Sequence, residues 1–116
     1  MLQNAFPNYS LPFEVYTDAS DFQLGAAIIQ SKPTAYYSKK LTPAQKNYTT
    51  TEKELLAIIS TLKNYRKMLM FSRIKIYTDH KNLTFKTFSV QRILRWRLFL
   101  DQFDCQLCYI PGKRTS

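Results

Sequence analysis

Only eight of the 116 residues are aspartate or glutamate, against seventeen lysines and arginines, so the position of each acid is informative. Asp18 closes the alternating run Phe13-Glu14-Val15-Tyr16-Thr17, and Asp79 closes a second, Arg73-Ile74-Lys75-Ile76-Tyr77-Thr78. Alternation of this kind marks a strand. Between the two runs, Glu54 falls in the first turn of a helical pattern. At ~100° per residue it lies beside Ile58 and Tyr65, at the margin of the apolar face. If the two strands are parallel neighbours and the helix crosses between them, the three carboxylates meet at one rim. Like charges repel, so such a cluster is costly unless a cation sits among them. Hard oxygen ligands in that arrangement suit Mg²⁺ or Mn²⁺, and paired divalent ions stabilise in-line attack on a phosphodiester. Each acid also has a plainer reading. Aspartate at a strand end forms turns, and Glu54 can complete a capping box with Thr51, as Glu52 can with Thr49.

The elements that must position these acids can be read on either side of them. After Pro12 a strand runs over 13–17. The turn-rich Asp18-Ala19-Ser20-Asp21 leads to a second strand, Leu24-Gly25-Ala26-Ala27-Ile28-Ile29, and Lys32-Pro33 to a third, Thr34-Ala35-Tyr36-Tyr37-Ser38. Turns this short join antiparallel neighbours. Thr49-Thr50-Thr51 starts a helix in which Leu55, Ile58, Ile59, Leu62, Tyr65 and Leu69 keep helical spacing to about Met70. Lys53, Lys63 and Lys67 fall on its opposite, solvated side. The fourth strand, 73–78, is followed by a second helix from Val90 to Phe103, carrying Ile93, Leu94, Trp96, Leu98 and Leu100. A fifth strand, Asp104 to Ile110, ends at Pro111-Gly112. The order β-β-β-α-β-α-β predicts one α/β domain: a mixed sheet in which an antiparallel meander joins parallel strands through right-handed crossovers. Its functional crevice lies outside the carboxyl ends of the parallel strands.

The net charge of +9 gives the surface a field that attracts polyanions, nucleic acid first among them. A negative metal pocket within a positive surface is a sound arrangement for a nuclease: the surface holds the polyanion and the metals do the chemistry. A hydrophobic content of 45% with 22% charged residues excludes disorder as the main state. No apolar run reaches the ~20 residues a membrane span needs, and Met1-Leu2-Gln3-Asn4-Ala5 lacks the order of a signal peptide. Two cysteines cannot form a disulfide framework, and with one histidine they make a poor zinc set.

In order and spacing, several segments resemble the ribonuclease H domain of gypsy-type long-terminal-repeat retrotransposon reverse transcriptases. They are Tyr16-Thr17-Asp18-Ala19-Ser20, Gly25-Ala26, Tyr36-x-Ser38-Lys39-Lys40-Leu41-Thr42 and Tyr48-x-x-Thr51-Glu52-Lys53-Glu54-Leu55-Leu56-Ala57-Ile58. Further along come Tyr77-Thr78-Asp79-His80-Lys81-Asn82-Leu83, Arg95-Trp96 and Ile110-Pro111-Gly112-Lys113. No single segment is specific; the ordered set is, and it spans residues 12–113. The resemblance implies a ribonuclease H-like α/β fold, a five-stranded mixed sheet in the order 3-2-1-4-5 with crossover helices. It implies cleavage of the RNA strand of RNA–DNA hybrids with two Mg²⁺ ions, Mn²⁺ being a substitute. Asp18, Glu54 and Asp79 are then the catalytic metal ligands, and Glu52 is not one. Residues 1–11, which show no period, read as the tail of a connection from a reverse transcriptase polymerase domain. The setting implied is intracellular, in the cytoplasm within a virus-like particle or in the nucleus, with no membrane. The resemblance also implies a fourth carboxylate, an Asp, and a final helix beyond Lys113. No acid follows Asp104 before Ser116, so the expectation is a C-terminally truncated domain, 114–116 being its tail, with weak or absent activity.

Ser20, Lys39, Lys40, Lys81, Arg92 and Arg95 are candidate phosphate contacts, each weighed against a solvated surface role. Gly25 either lets nucleic acid approach the backbone or marks a bulge, and His80 either touches a phosphate or shapes its loop. Cys105-x-x-Cys108 lies in a strand, where an offset of three puts the thiols on opposite faces. Trp96 is expected in the core, with one of Tyr36 and Tyr37 buried. The rival reading is a non-catalytic nucleic-acid-binding or scaffolding remnant of the same fold. Another ribonuclease H-like enzyme, such as an integrase core or a Holliday-junction nuclease, fits the segments around Tyr48 and Tyr77 less well.

Overall fold

The computed structural model describes residues 11–78 and 91–110, the side chains of 91–93 excepted. Strands β1 (Phe13–Ala19), β2 (Gln23–Gln30) and β3 (Lys32–Lys40) are followed by a 3₁₀ turn (Gln45–Asn47) and helices α1 (Thr50–Asn64) and α2 (Arg66–Leu69). Then come β4 (Arg73–Thr78), α3 (Gln91–Leu100) and β5 (Asp104–Tyr109). The five strands form one sheet in the order β3-β2-β1-β4-β5, as expected. β1–β2 and β2–β3 pair antiparallel, and β1–β4 and β4–β5 pair parallel. β1, β3, β4 and β5 therefore run the same way, and their carboxyl ends share one edge of the sheet.

Alternation along β1 sets the layers. Phe13, Val15 and Thr17 are buried on one face, whereas Glu14, Tyr16 and Asp18 belong to the other. The buried face meets α1 through Leu55, Ile58, Ile59 and Leu62, together with Ile28, Ile74, Ile76 and Leu100. On the opposite face Tyr16 and Tyr77 stack with ring centroids 4.8 Å apart, and the Tyr16 hydroxyl donates to Glu14 Oε1 at 3.3 Å. Burial, and after it the Glu14 carboxylate, pushes both phenols above their ordinary value.

α1 begins where the capping pattern places it. Thr49 Oγ1 accepts the Glu52 N–H at 3.1 Å, and Glu52 Oε1 accepts the Thr49 N–H at 2.9 Å. The helix does not continue to Met70. It breaks at Tyr65, with φ −113° and ψ 31°, and resumes as α2. Tertiary contacts account for this: the Tyr65 hydroxyl donates to Tyr36 O at 2.9 Å and its ring meets Tyr37 edge-on. Leu69 beyond the break still reaches the core. α3 ends at Leu100, short of Phe103, and Leu94 and Leu98 are exposed rather than packed. Trp96, half-buried, joins two core clusters and lies 6.1 Å from the Tyr48 ring. Cys105 and Cys108 are free thiols; Cys105 packs on the core, and burial pushes its thiol up. Among the described residues, no helix is long and apolar enough to cross a membrane.

Candidate active site

The carboxyl edge of the sheet gathers the candidate residues. Asp18 is exposed there, and its Oδ1 accepts the Ala19 N–H at 2.9 Å. By register it sits opposite Gly25, and Gly25 opposite Ser38, so the three form one row. β4 reaches the same edge at Thr78. Asp79, His80 and Lys81 follow it in sequence and lie outside the described residues.

The chain enters α1 at this edge too, because β3 ends there and residues 41–49 lead straight into the helix. A second core cluster locks the junction: Leu24, Leu41, Leu56 and Ala57, with Ala19 and Tyr48 against them. Glu54, in the second turn, is only 6% exposed. Next to it, Lys53 corrects the sequence reading. It is not solvated with Lys63 and Lys67 but 8% exposed, and its Nζ lies 3.2 Å from Asp21 Oδ1. The physical reason is that the β1–β2 turn folds over the side of α1 that a helical wheel assigns to water. The flanking Leu56 and Ala57 are the sequence signal for that cover.

The donor set fits a hard divalent cation. Asp18 offers an exposed carboxylate and Glu54 a buried one at the same edge. Thr17 Oγ1, on the α1 side of β1, is buried without a hydrogen-bond partner among the described residues, the kind of atom that water or a hydrated ion satisfies. Asp18 and Thr17 face opposite sides of the sheet, so a cation held by Asp18 and Glu54 together has to sit at the rim. Among the described residues no three Asp, Glu, His or Cys side chains converge; the third expected ligand, Asp79, is not one of them.

The candidate nucleic-acid contacts distribute unevenly. Ser20 Oγ donates to Gln23 O at 3.2 Å and accepts the N–H groups of Phe22 and Gln23 at 3.1 and 3.0 Å, so its hydroxyl is committed inside the turn. Gly25 is not at a bulge; the register shift in β2 lies between Ile28 and Ile29. A Cβ at Gly25 would meet nothing nearer than Tyr37 O at 3.9 Å, so internal packing does not require glycine. Lys39 and Lys40 diverge. Lys40 pairs with Gln23, and the Gln23 amide donates to Ser38 Oγ at 3.1 Å on the Asp18 face. Lys39 lines a groove on the other side with Leu56, Ile59 and Trp96. Arg95 is exposed on α3, and Arg92 is on the same helix with its side chain outside the description.

The comparisons with known proteins agree with this architecture. Residues 8–103 match the family model of the RNase H-like domain found in reverse transcriptase. The chain is 41% identical over 119 residues to the retrovirus-related Pol polyprotein from transposon opus of Drosophila melanogaster, covering 94% of this chain and 12% of the polyprotein. It is 38% identical to the Tf2-3 transposon polyprotein of Schizosaccharomyces pombe, covering 90% of this chain and 9% of that one. The chain thus spans about a tenth of these relatives. In fold it resembles the foamy viral protease-reverse transcriptase solved with an RNA/DNA hybrid, with a TM-score of 0.76, 19% identity, and coverage of 92% of this chain and 16% of that one. It also resembles LC11-RNase H1 solved with an RNA/DNA hybrid, with a TM-score of 0.66, 13% identity and 86% of both chains covered. Sheet order, the segments that follow one another from Tyr16 to Trp96, and the family match together make this chain a member of the RNase H-like domain family of reverse transcriptases, of the kind carried by gypsy-type retrotransposons.

Proposed function

We propose that this domain cleaves the RNA strand of RNA–DNA hybrids, within a longer reverse transcriptase polyprotein that also carries a polymerase domain. The observation that supports the reading is the pair of acids on a domain matching the RNase H-like family: Glu54, 6% exposed in the second turn of α1, and Asp18, exposed at the carboxyl end of β1. Carboxylates are the hard oxygen donors that a hydrolytic site for divalent cations would use.

Asp18, Glu54 and, from its place one residue after β4, Asp79 would hold two Mg²⁺ ions. When bound, such ions activate a water and offset charge on the leaving 3′ oxygen. The protein's own part is to fix the donors before substrate arrives. The Thr49 capping box sets the start of α1, the Lys53–Asp21 pair fixes its first turns to the β1–β2 turn, and β1 presents Asp18. Lys40 and Arg95, exposed, supply phosphate contacts without base readout. Selectivity for the hybrid rests on ribose 2′-hydroxyl contacts and duplex shape.

The test is cleavage of a labelled RNA–DNA hybrid across a Mg²⁺ titration, with Asp18→Asn and Glu54→Gln beside the wild type. Disturbing groups that merely support metal ligands costs ~10–100-fold, so removing a ligand charge is expected to cost more than about a hundredfold in kcat. Hybrid binding with no metal-dependent cleavage in the wild type would instead establish the non-catalytic binding module.

A further inference from the structure

The groove that Lys39 lines on the α1 side of the sheet is rich in hydrogen-bond donors. It holds about 320 Å³ between β3, α1 and α3, over a floor that includes Leu56 and Ile59. Lys39, Gln45, Lys63 and Asn64 supply polar groups, and none of the described lining residues is an acid. Both lysines are exposed, and neither is paired with an acid among the described residues. Lys63 Nζ lies 5.6 Å from the centre of the Phe99 ring, a contact that steadies the ammonium beside α3 without cancelling its charge. Gln45 Oε1 accepts the Thr42 N–H at 3.0 Å, so the NH₂ group is what this amide still has to offer. Two like charges along one groove repel, and an anion between them removes that cost. By contrast, the groove between Pro12, Arg73, Lys75 and Asp104 carries its own counter-charge.

The position of the groove selects the anion. Lys39 follows Ser38, which stands in one row with Gly25 and Asp18. Two strand spacings separate β3 from β1, or ~10 Å. From Leu56 to Asn64 the groove follows eight residues of α1, ~12 Å at a rise of ~1.5 Å each. Its mouth is therefore near the carboxyl edge of the sheet, and it leads away from that edge along the helix. A lone small anion would occupy one end of such a trough, whereas a chain of phosphates matches both its length and its two cations. Lysine meets phosphate as a point charge, without reading sequence.

We propose that this groove is a backbone track for the RNA–DNA hybrid: Lys39 and Lys63 meet phosphates of one strand beyond the candidate cleavage site, and the Gln45 and Asn64 amides bond the phosphate oxygens. The proposal rests on the hybrid being the substrate, as proposed above, but not on cleavage occurring.

The experiment is fluorescence polarisation with a labelled RNA–DNA hybrid in EDTA, repeated from about 50 to about 200 mM salt. Lys39→Gln and Lys63→Gln are each expected to weaken binding about fivefold and to reduce the slope of log affinity against log salt by about one, the double variant by about two. Lys32→Gln removes the same charge at the other end of β3 and should keep the wild-type slope. Thermal melting of Lys39→Gln should match the wild type. Should Lys63→Gln melt early through loss of the Phe99 contact, Lys63→Arg keeps both charge and contact and is expected to keep the slope. A double variant with the wild-type slope overturns the proposal. So does a loss in Lys32→Gln as large as in Lys39→Gln, which would assign the effect to the overall field, and so does a wild type that does not bind the hybrid. Cleavage by the wild type in Mg²⁺ reports separately on the proposed activity. Binding that depends on the two lysines without cleavage removes the hydrolase and leaves the groove standing; cleavage with an unchanged slope in the double variant does the reverse.

Discussion

Replacing Asp21 by asparagine tests whether α1 is tied to the β1–β2 turn by charge. The Lys53 Nζ to Asp21 Oδ1 distance is 3.2 Å, with the lysine side chain 10% exposed and the aspartate side chain 84% exposed. Unit charges at that separation attract by about 1 kcal/mol in a water-like dielectric and about 5 kcal/mol at an effective value near 20. Asp21 keeps most of its water, which places the pair close to the lower figure, at the upper end of the range for exposed pairs. Asparagine retains an oxygen for the ammonium and loses only the charge. Asp21→Asn is therefore expected to cost about 1 kcal/mol, or about 4 °C in Tm for a domain of this size. Lys53→Met keeps the buried stem and removes the charge that needs compensating, so it should fall within about 0.5 kcal/mol of wild type. The double variant should match Lys53→Met alone. Urea denaturation of the four proteins gives the coupling directly, and repeating it in high salt should shrink that coupling. A coupling of zero would show that packing of the lysine stem rather than charge holds the turn to the helix.

Two further outcomes follow from local chemistry. Thr49→Ala removes one half of the capping box at the start of α1 and should lower the unfolding free energy by about 1 kcal/mol, measured as a shift in urea midpoint with unchanged slope. The raised phenols of Tyr16 and Tyr77 mean that the folded state keeps protons the unfolded chain loses. Their contribution is complete below the ordinary tyrosine value of 10.0 and is lost as pH rises through the folded values. The double Tyr→Phe variant should lose less stability than wild type between pH about 8 and about 11, and an identical alkaline decline in both would refute the assignment.

Much of the fold was legible because each strand buries one face. Val15 and Ile76 repeat at period two, and the capping residues before α1 mark its start. Other features depend on contacts remote in sequence. The break at Tyr65 follows from a phenol reaching a carbonyl on β3, and nothing in residues 60–70 records that carbonyl. The placement of Lys53 failed for a related reason. A helical wheel assumes one covered side and one wet side, whereas α1 is enclosed through its first turns by a strand connection that the wheel does not contain. Of the proposed ligands, Asp18 is exposed near the carboxyl end of β1, Glu54 is buried in the second turn of α1, and Asp79 lies outside the described residues.

The same edge explains why residue type alone misleads about role there. Ser20 and Lys53 are the sort of donors a sequence reading assigns to phosphates or to water, yet both are committed to the protein, one closing a turn and the other fixing that turn to a helix. What they leave exposed on that edge is an aspartate at the end of β1 and a lysine at the end of β3. Groups that build a site are held inward by short-range bonds, and groups that meet substrate are those the bonded frame leaves at the surface. Sorting the basic and polar residues of this edge therefore requires asking which of them still has a donor to offer. By that criterion Lys40 keeps a place among the proposed contacts that the Ser20 hydroxyl gives up.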